Sequence, residues 1–176
     1  MARLRDNRYL RRFLGWKLAA AVATIAILLL VLGSLLFSSI MGGEWEARRA
    51  AVLAAYEKTI LAKADKVDRF VGDKTYTVIQ GQDKIGQGLI VWVSEDELIA
   101  EMAADGIGPE QAVSQTMSKA QGIEVLRVTP GILHNEKVWE VFYKLPPENG
   151  GRSKYYYDYY TFKDGTPIDT WRLSIQ

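Results

Sequence analysis

The side chains able to attack, ligate or shuttle protons are few in this chain of 176 residues. It has no cysteine, hence no thiolate nucleophile, no disulfide and no acylated N-terminal cysteine. Its one histidine, His134, lies in Leu133-His134-Asn135-Glu136-Lys137, whose polar residues read as the tip between two strands. A Ser/His/Asp triad would need that imidazole buried beside a nucleophile. One histidine without cysteine also falls short of the N and S ligands that structural zinc takes. Carboxylates are plentiful, and a pair at the right separation can hydrolyse glycosidic bonds. However, Glu95, Asp96 and Glu97 follow Ser94 as the acidic first turn of a helix would. Asp158 and Glu140 fall within strands, with Glu140 flanked by Trp139 and Val141 as an outward-facing residue is. Gly81-x-x-x-x-Gly86-x-Gly88 resembles a phosphate loop, but no Lys-Ser or Lys-Thr follows and no helix begins there, so it reads as a hairpin turn. No catalytic residue, no cofactor, no metal and no small-molecule ligand is expected.

Recognition is a different matter, and its candidates are Tyr155, Tyr156, Tyr157, Tyr159 and Tyr160. In a strand Tyr155, Tyr157 and Tyr159 share one face, while Tyr156, Asp158 and Tyr160 share the other. Only one face can be core. The other presents tyrosines, which anchor protein interfaces and sugar-binding platforms alike, unless a neighbouring unit covers it.

These elements hang from a segment without a charge. Leu18 to Ile40 is 23 uncharged residues, about 35 Å as a helix and so slightly longer than a bilayer core of ~30 Å. Arg3, Arg5, Arg8, Arg11, Arg12 and Lys17 precede it against Asp6 alone, and Glu44 and Glu46 follow it, which places the N-terminus in the cytoplasm. A cleaved signal peptide is the competing reading. It has a shorter apolar core ending in small residues, whereas Met41 or Ile40 occupies a critical cleavage position in most registers here. The segment therefore reads as a retained anchor. Residues 1–17 carry +5 of the chain's +1, which leaves −4 for residues 44–176. Cations abutting a span set topology and meet anionic lipid, so no nucleic-acid partner is expected.

Beyond the anchor, 133 residues make one ordinary domain or two very small ones, with Gly42-Gly43 as a hinge. From Trp45, the positions Leu53, Tyr56, Ile60, Ala64 and Val67 recur with helical spacing. Trp45 belongs either to that helix's core face or, with Trp16 and Tyr9 on the inner side, to the interfacial aromatic belts. Tyr76 to Ile79 and Leu89 to Val93 read as a hairpin, and Leu98 to Met102 as a short helix begun at Ser94. Pro109 starts another helix with Val113, Thr116, Met117 and Ala120 as its stripe and Gly122 as its end. Strands follow at 123–129, 138–145, 155–162 and 168–175. Laid side by side, Val67 to Phe70 falls opposite Val125 to Val128, Tyr76 to Ile79 opposite Trp139 to Phe142, and Leu89 to Val93 opposite Tyr157 to Thr161. The pattern implies an α+β chain of two tandem units, each a helix across a curled antiparallel sheet.

Val67-x-x-Phe70-Val71-Gly72-x-x-x-Tyr76-x-Val78-x-x-Gly81-x-Asp83-x-x-Gly86, Ile90-Val91-Trp92-Val93, Val138-Trp139-Glu140-Val141-x-Tyr143 and Tyr157-x-Tyr159-x-x-Phe162-x-x-Gly165, behind one anchor, resemble the TseB (YpmB) family. The resemblance runs from the anchor to Leu173 and rests on fold-type residues without a catalytic signature. It implies two cystatin-like or PepSY-like domains outside the membrane of a Gram-positive cell, associated with the class B penicillin-binding transpeptidase of cell-wall elongation. The organisation expected is a cytoplasmic basic tail (1–17), a transmembrane helix (18–41), a first cystatin-like unit (42–104) and a second cystatin-like or PepSY-like unit (105–176). The function expected is non-enzymatic regulation of that synthase by a single-pass membrane protein. The alternative is a PepSY-like domain that restrains an extracytoplasmic protease or senses wall fragments.

Overall fold

Two β-meanders organise the chain in the computed structural model, which describes residues 6–147 and 151–174; within the first helix it describes the side chains of 22–35, 37, 43 and 45 onward. Helix α1 runs from Asp6 to Lys58. The chain divides into two compact units, residues 1–47 and 48–176. In the first, the described side chains from Val22 to Leu35 are all exposed, as is Trp45 at 67 %, which removes Trp45 from any core. Among the described residues no helix is long and apolar enough to cross a membrane. The tail 1–17, Trp16, Tyr9 and both ends of the Leu18 to Ile40 segment lie outside the described side chains.

Gly42-Gly43 is not a break, because α1 continues through it. Good helix formers follow, including Glu44, Glu46, Ala47, Arg48 and Arg49, and offset the cost of about 1 kcal/mol for each interior glycine. The helix ends earlier than the apolar spacing implies. The Thr59 hydroxyl donates to the Ala55 carbonyl at 2.7 Å and accepts the Leu61 N–H at 3.1 Å, which closes the last turn. Ala64 and Val67 consequently lie on strand β1, Lys63–Val71, and the Ala64 N–H is taken by the Tyr56 phenol at 2.9 Å.

Strands β2 (Thr75–Gln82), β3 (Gly88–Val93) and β4 (Leu98–Met102) complete an antiparallel sheet in the order β1-β2-β3-β4. β4 is the segment expected as a helix. Ser94 does what an N-cap does, its Oγ accepting the Glu97 N–H at 3.2 Å. The Glu97 carbonyl accepts the Ser94 N–H at 2.9 Å, and Leu98 to Met102 then pairs residue by residue with Val93 to Leu89. The cap closes a turn, and ladder pairing decides the rest.

A single 3₁₀ turn, Ala103–Asp105, leads to helix α2, Pro109–Met117. α2 starts at the expected proline but ends at Met117, before Gly122; of the expected stripe Thr116 is buried, joined by Ala112, while Met117 is exposed. Strands β5 (Glu124–Leu133), β6 (Glu136–Leu145), β7 (Lys154–Thr161) and β8 (Pro167–Leu173) form a second meander, β5-β6-β7-β8. The hairpin expected around His134 is a two-residue turn with His134 and Asn135 at φ 49° and 65°.

Each sheet carries a bulge early in its first strand, between Ala64 and Lys66 and between Val125 and Arg127. Matching the bulges makes Val67 equivalent to Val128, Ile79 to Val141 and Val91 to Asp158. The side-by-side reading of the sequence was therefore three residues off in the first strand and one residue off in the next two. Ala55, Leu61, Ile79, Leu89 and Val91 form a small core between α1 and one face of the first sheet. The reverse face, with Phe70, Tyr76, Val78, Ile90 and Trp92, packs with Ala112, Trp139, Val141 and Phe162 of the second half in one larger core. Trp92 meets the Phe162 ring edge-on at 6.1 Å. Gly131 admits the Phe70 ring to the second half, since a β-carbon there would collide with it.

Candidate functional site

The two faces of the second sheet are built differently. On the face beneath α2, Asp158 occupies the position that Val91 holds under α1, and it is fully buried. Its Oδ2 accepts from Thr116 Oγ1 at 3.2 Å, Tyr160 OH at 3.1 Å and Lys119 Nζ at 2.8 Å. Its Oδ1 accepts from Thr170 Oγ1 at 2.6 Å and Tyr143 OH at 3.4 Å. Five protein donors fill the carboxylate, leaving no lone pair directed at a substrate. Burial opposes the Lys119 charge, yet the bond to Asp158 and its negative charge win, so the ammonium is held above its usual range. The assembly fastens α2 to β7 and β8, and its chemistry is structural.

The opposite face gathers aromatic and arginine side chains. Register places Arg127, Phe142, Tyr157 and Trp171 in one row across all four strands. The Phe142 ring stacks on Tyr157 at 4.7 Å and on Tyr155 at 5.9 Å, and the Arg127 guanidinium lies over Phe142 at 5.9 Å. One row along, Glu140 is 6 % exposed, with Arg127 Nη2 at 2.9 Å and the Tyr159 phenol donating to it at 3.1 Å. Tyr159 meets Trp171 edge-on at 5.0 Å, and the Trp171 indole N–H donates to Asp169 at 2.5 Å. Glu140, read in the sequence as solvated, is thus the buried post that holds Arg127 and Tyr159. Trp171 remains 44 % and Leu173 38 % exposed, because β8 is an edge strand with every residue open.

The tyrosine run divides accordingly. Tyr155 and Tyr157 are half-buried on the open face, Tyr159 is buried in it, and Tyr156 and Tyr160 point to the α2 side. Tyr156 stacks on Tyr143 at 5.4 Å, and Tyr160 is fully buried against Thr116. Sequence reasoning missed Arg127, Phe142 and Trp171. Their signal was the alternating spacing within β5, β6 and β8, which became readable only once the bulge at Leu126 had fixed the register. His134 is an exposed turn residue whose N–H donates to Asp73 at 2.5 Å. Among the described residues no group of three His, Asp or Glu side chains is disposed to hold a metal.

Buried phenols carry a pH signature. Burial first, and then the Glu97 carboxylate bonded at 2.6 Å, pushes Tyr76 up to about 12. Burial likewise raises Tyr143, Tyr159 and Tyr160. A phenol harder to ionise in the folded than in the unfolded chain stabilises the fold fully below pH 10 and loses that contribution as the pH rises toward 12. Stability is therefore expected to drop steeply above pH 10, with Tyr76 alone accounting for about 2 kcal/mol by pH 12. In an alkaline titration the last part of the phenolate absorbance, that of the buried phenols, should appear together with the loss of the circular dichroism signal. Ionisation of all the phenols, the buried Tyr76, Tyr143, Tyr159 and Tyr160 included, before any loss of structure would contradict the burial described.

The chain matches the family described as the cell wall elongation regulator TseB-like domain over residues 50–94. It is 32 % identical over 147 residues to the probable cell wall elongation regulator TseB of Bacillus subtilis (strain 168), covering 79 % of this chain and 87 % of that protein. Among solved structures it resembles the YpmB protein from Bacillus subtilis, with a TM-score of 0.58 and 28 % identity, covering 71 % of this chain and 96 % of the other.

Proposed function

Since the chain belongs to the TseB family of cell wall elongation regulators, we propose that it is a membrane-anchored, non-enzymatic member that docks through the open face of its second sheet on a class B penicillin-binding transpeptidase of the elongation machinery. The observation that carries this reading is the row Arg127, Phe142, Tyr157 and Trp171, aromatic and arginine side chains gathered on one face with Trp171 and Arg127 exposed. Tyr, Trp and Arg are the residue types that dominate binding energy at protein interfaces. The buried acids support a non-enzymatic role, because Asp158 and Glu140 already accept from protein donors. A photo-crosslinking residue placed at Tyr157 in living cells, followed by mass-spectrometric identification, is expected to capture an elongation transpeptidase. Capture of an extracytoplasmic protease instead would favour an inhibitory role.

In this reading Leu18 to Ile40 spans the membrane, the basic tail is cytoplasmic and residues 44–176 are extracellular. An anchor raises the effective concentration of the outer part near other membrane proteins, so the isolated part binds weakly. Protease added to wall-stripped cells should digest the outer part and leave a short N-terminal fragment. Protection of the whole chain, or release of a soluble product beginning near Gly42, would defeat the topology.

A further inference from the structure

A small cleft opens where the inner face of the first sheet runs out of core. The inward positions of β2 are Tyr76, Val78, Gln80 and Gln82, and register pairs the last three with Trp92, Ile90 and Gly88 of β3. Large apolar side chains thus give way along one face to two carboxamides and a glycine. The space left is a cavity of about 230 Å³ whose other wall includes Ile107 and Trp139, pinned together by the indole N–H donating to the Ile107 carbonyl at 3.0 Å. The bulge in β1 adds a third polar group. Asp65 is the residue that the shift between Ala64 and Lys66 leaves out of the ladder, and it lines the cavity with Gln80 and Gln82. These groups are only partly used. Gln80 gives one N–H to Asp68 at 3.3 Å, Asp65 Oδ1 meets Lys63 Nζ at 2.5 Å, and the Gln82 side chain makes no hydrogen bond among the described residues. Their chemistry selects a ligand. Lys63 balances the one carboxylate, and no cation among the described residues lines the cleft, so neither a metal ion nor an anion finds a charge to hold it. Because β2 lies between β1 and β3, its backbone is taken by the ladder and an extended peptide finds no free edge there. Two amides and a carboxylate side by side can donate to and accept from neighbouring hydroxyl groups, while Ile90, Ile107 and Trp139 offer apolar surface to the C–H face of a ring. The volume lies below the roughly 300 to 1,000 Å³ of clefts for drug-sized ligands, which suits a single ring.

We propose that this cleft binds one residue of a neutral sugar, with Asp65, Gln80 and Gln82 holding its hydroxyl groups and Ile107 and Trp139 facing its ring. The site is distinct from the docking face of the second sheet and does not depend on it. The test is a nuclear magnetic resonance titration of the full chain, in a neutral detergent that itself carries no sugar, with a trimer of N-acetylglucosamine and, separately, with maltotriose. At least one trimer is expected to shift the side-chain amide signals of Gln80 and Gln82 and the indole signal of Trp139 in a saturable way. The double variant D65A/Q82A should raise the concentration for half-saturation about tenfold or more, because two hydrogen-bonding groups are lost. It should keep the thermal transition of the parent, both side chains being exposed. Binding of the N-acetylglucosamine trimer alone means that the acetamido group is read, binding of maltotriose alone that the hydroxyl in its place is read, and binding of both that the site reads the rest of the ring. Absence of shifts with both trimers, shifts confined to the face of Tyr157 and Trp171, or half-saturation unchanged in D65A/Q82A would overturn the proposal.

Discussion

Replacing Asp158 with Ala is expected to lower the unfolding free energy of residues 44–176 by about 3 to 5 kcal/mol in urea denaturation. The carboxylate is fully buried and receives five donors, from α2 and the turn that follows it, β6, β7 and β8. Its loss strands the Lys119 ammonium and leaves the hydroxyls of Thr116, Tyr160 and Thr170 short of a partner, and unmade buried bonds cost more than made ones contribute. Lys119→Met, which removes one of the five donors and replaces it with an apolar chain of similar length, should cost less than Asp158→Ala. In the double variant the two losses should be markedly less than additive, because the stranded charge is gone. A loss below about 1 kcal/mol for Asp158→Ala, against that expectation, would mean that α2 is held by apolar contacts alone.

Trp92→Ala should cost a similar amount, about 3 to 5 kcal/mol, while the unfolding of residues 44–176 remains a single cooperative transition. Trp92 is fully buried and touches Phe162 of the other half, in a core that draws on both sheets. A cavity at that junction weakens both meanders together. Two well-separated transitions, in the parent or in the variant, would mean that the halves fold independently and that the shared core contributes little.

The alternation of apolar residues disclosed all the strands but β1 and β4, and Pro109 disclosed the start of α2. Val78, Trp92, Val141 and Phe162, apolar positions of the strands so disclosed, are buried, but that they share one core follows from the packing of the two sheets and not from the alternation. Two elements were misread for definable reasons. β4 begins with a serine and three acids that cap a turn as well as they cap a helix, and only its pairing with β3 tells the two apart. Ala64 and Val67 continue a helical spacing by coincidence, and Thr59 ends the helix through a side-chain bond that periodicity does not weigh. The face carrying Tyr155, Tyr157 and Tyr159 was legible as a group. Its companions were not, because the bulge at Leu126 shifts register by one residue and a one-residue slip exchanges the faces of a strand. The same slip hid the equivalence of Asp158 and Val91, and with it the buried carboxylate.

The central claim is docking on an elongation synthase through the open face of the second sheet. It is tested most directly by quantitative in vivo crosslinking to the synthase in two variants compared side by side. One exchanges Leu18 to Ile40 for an unrelated membrane span, and the other changes Tyr157 and Trp171 to Ala. The account predicts that the span exchange leaves crosslinking largely intact and that the aromatic changes, in a protein that still folds, reduce it at least tenfold, as loss of two central interface side chains does at about 1.4 kcal/mol per decade. Crosslinking abolished by the span exchange and untouched by the aromatic changes would contradict it.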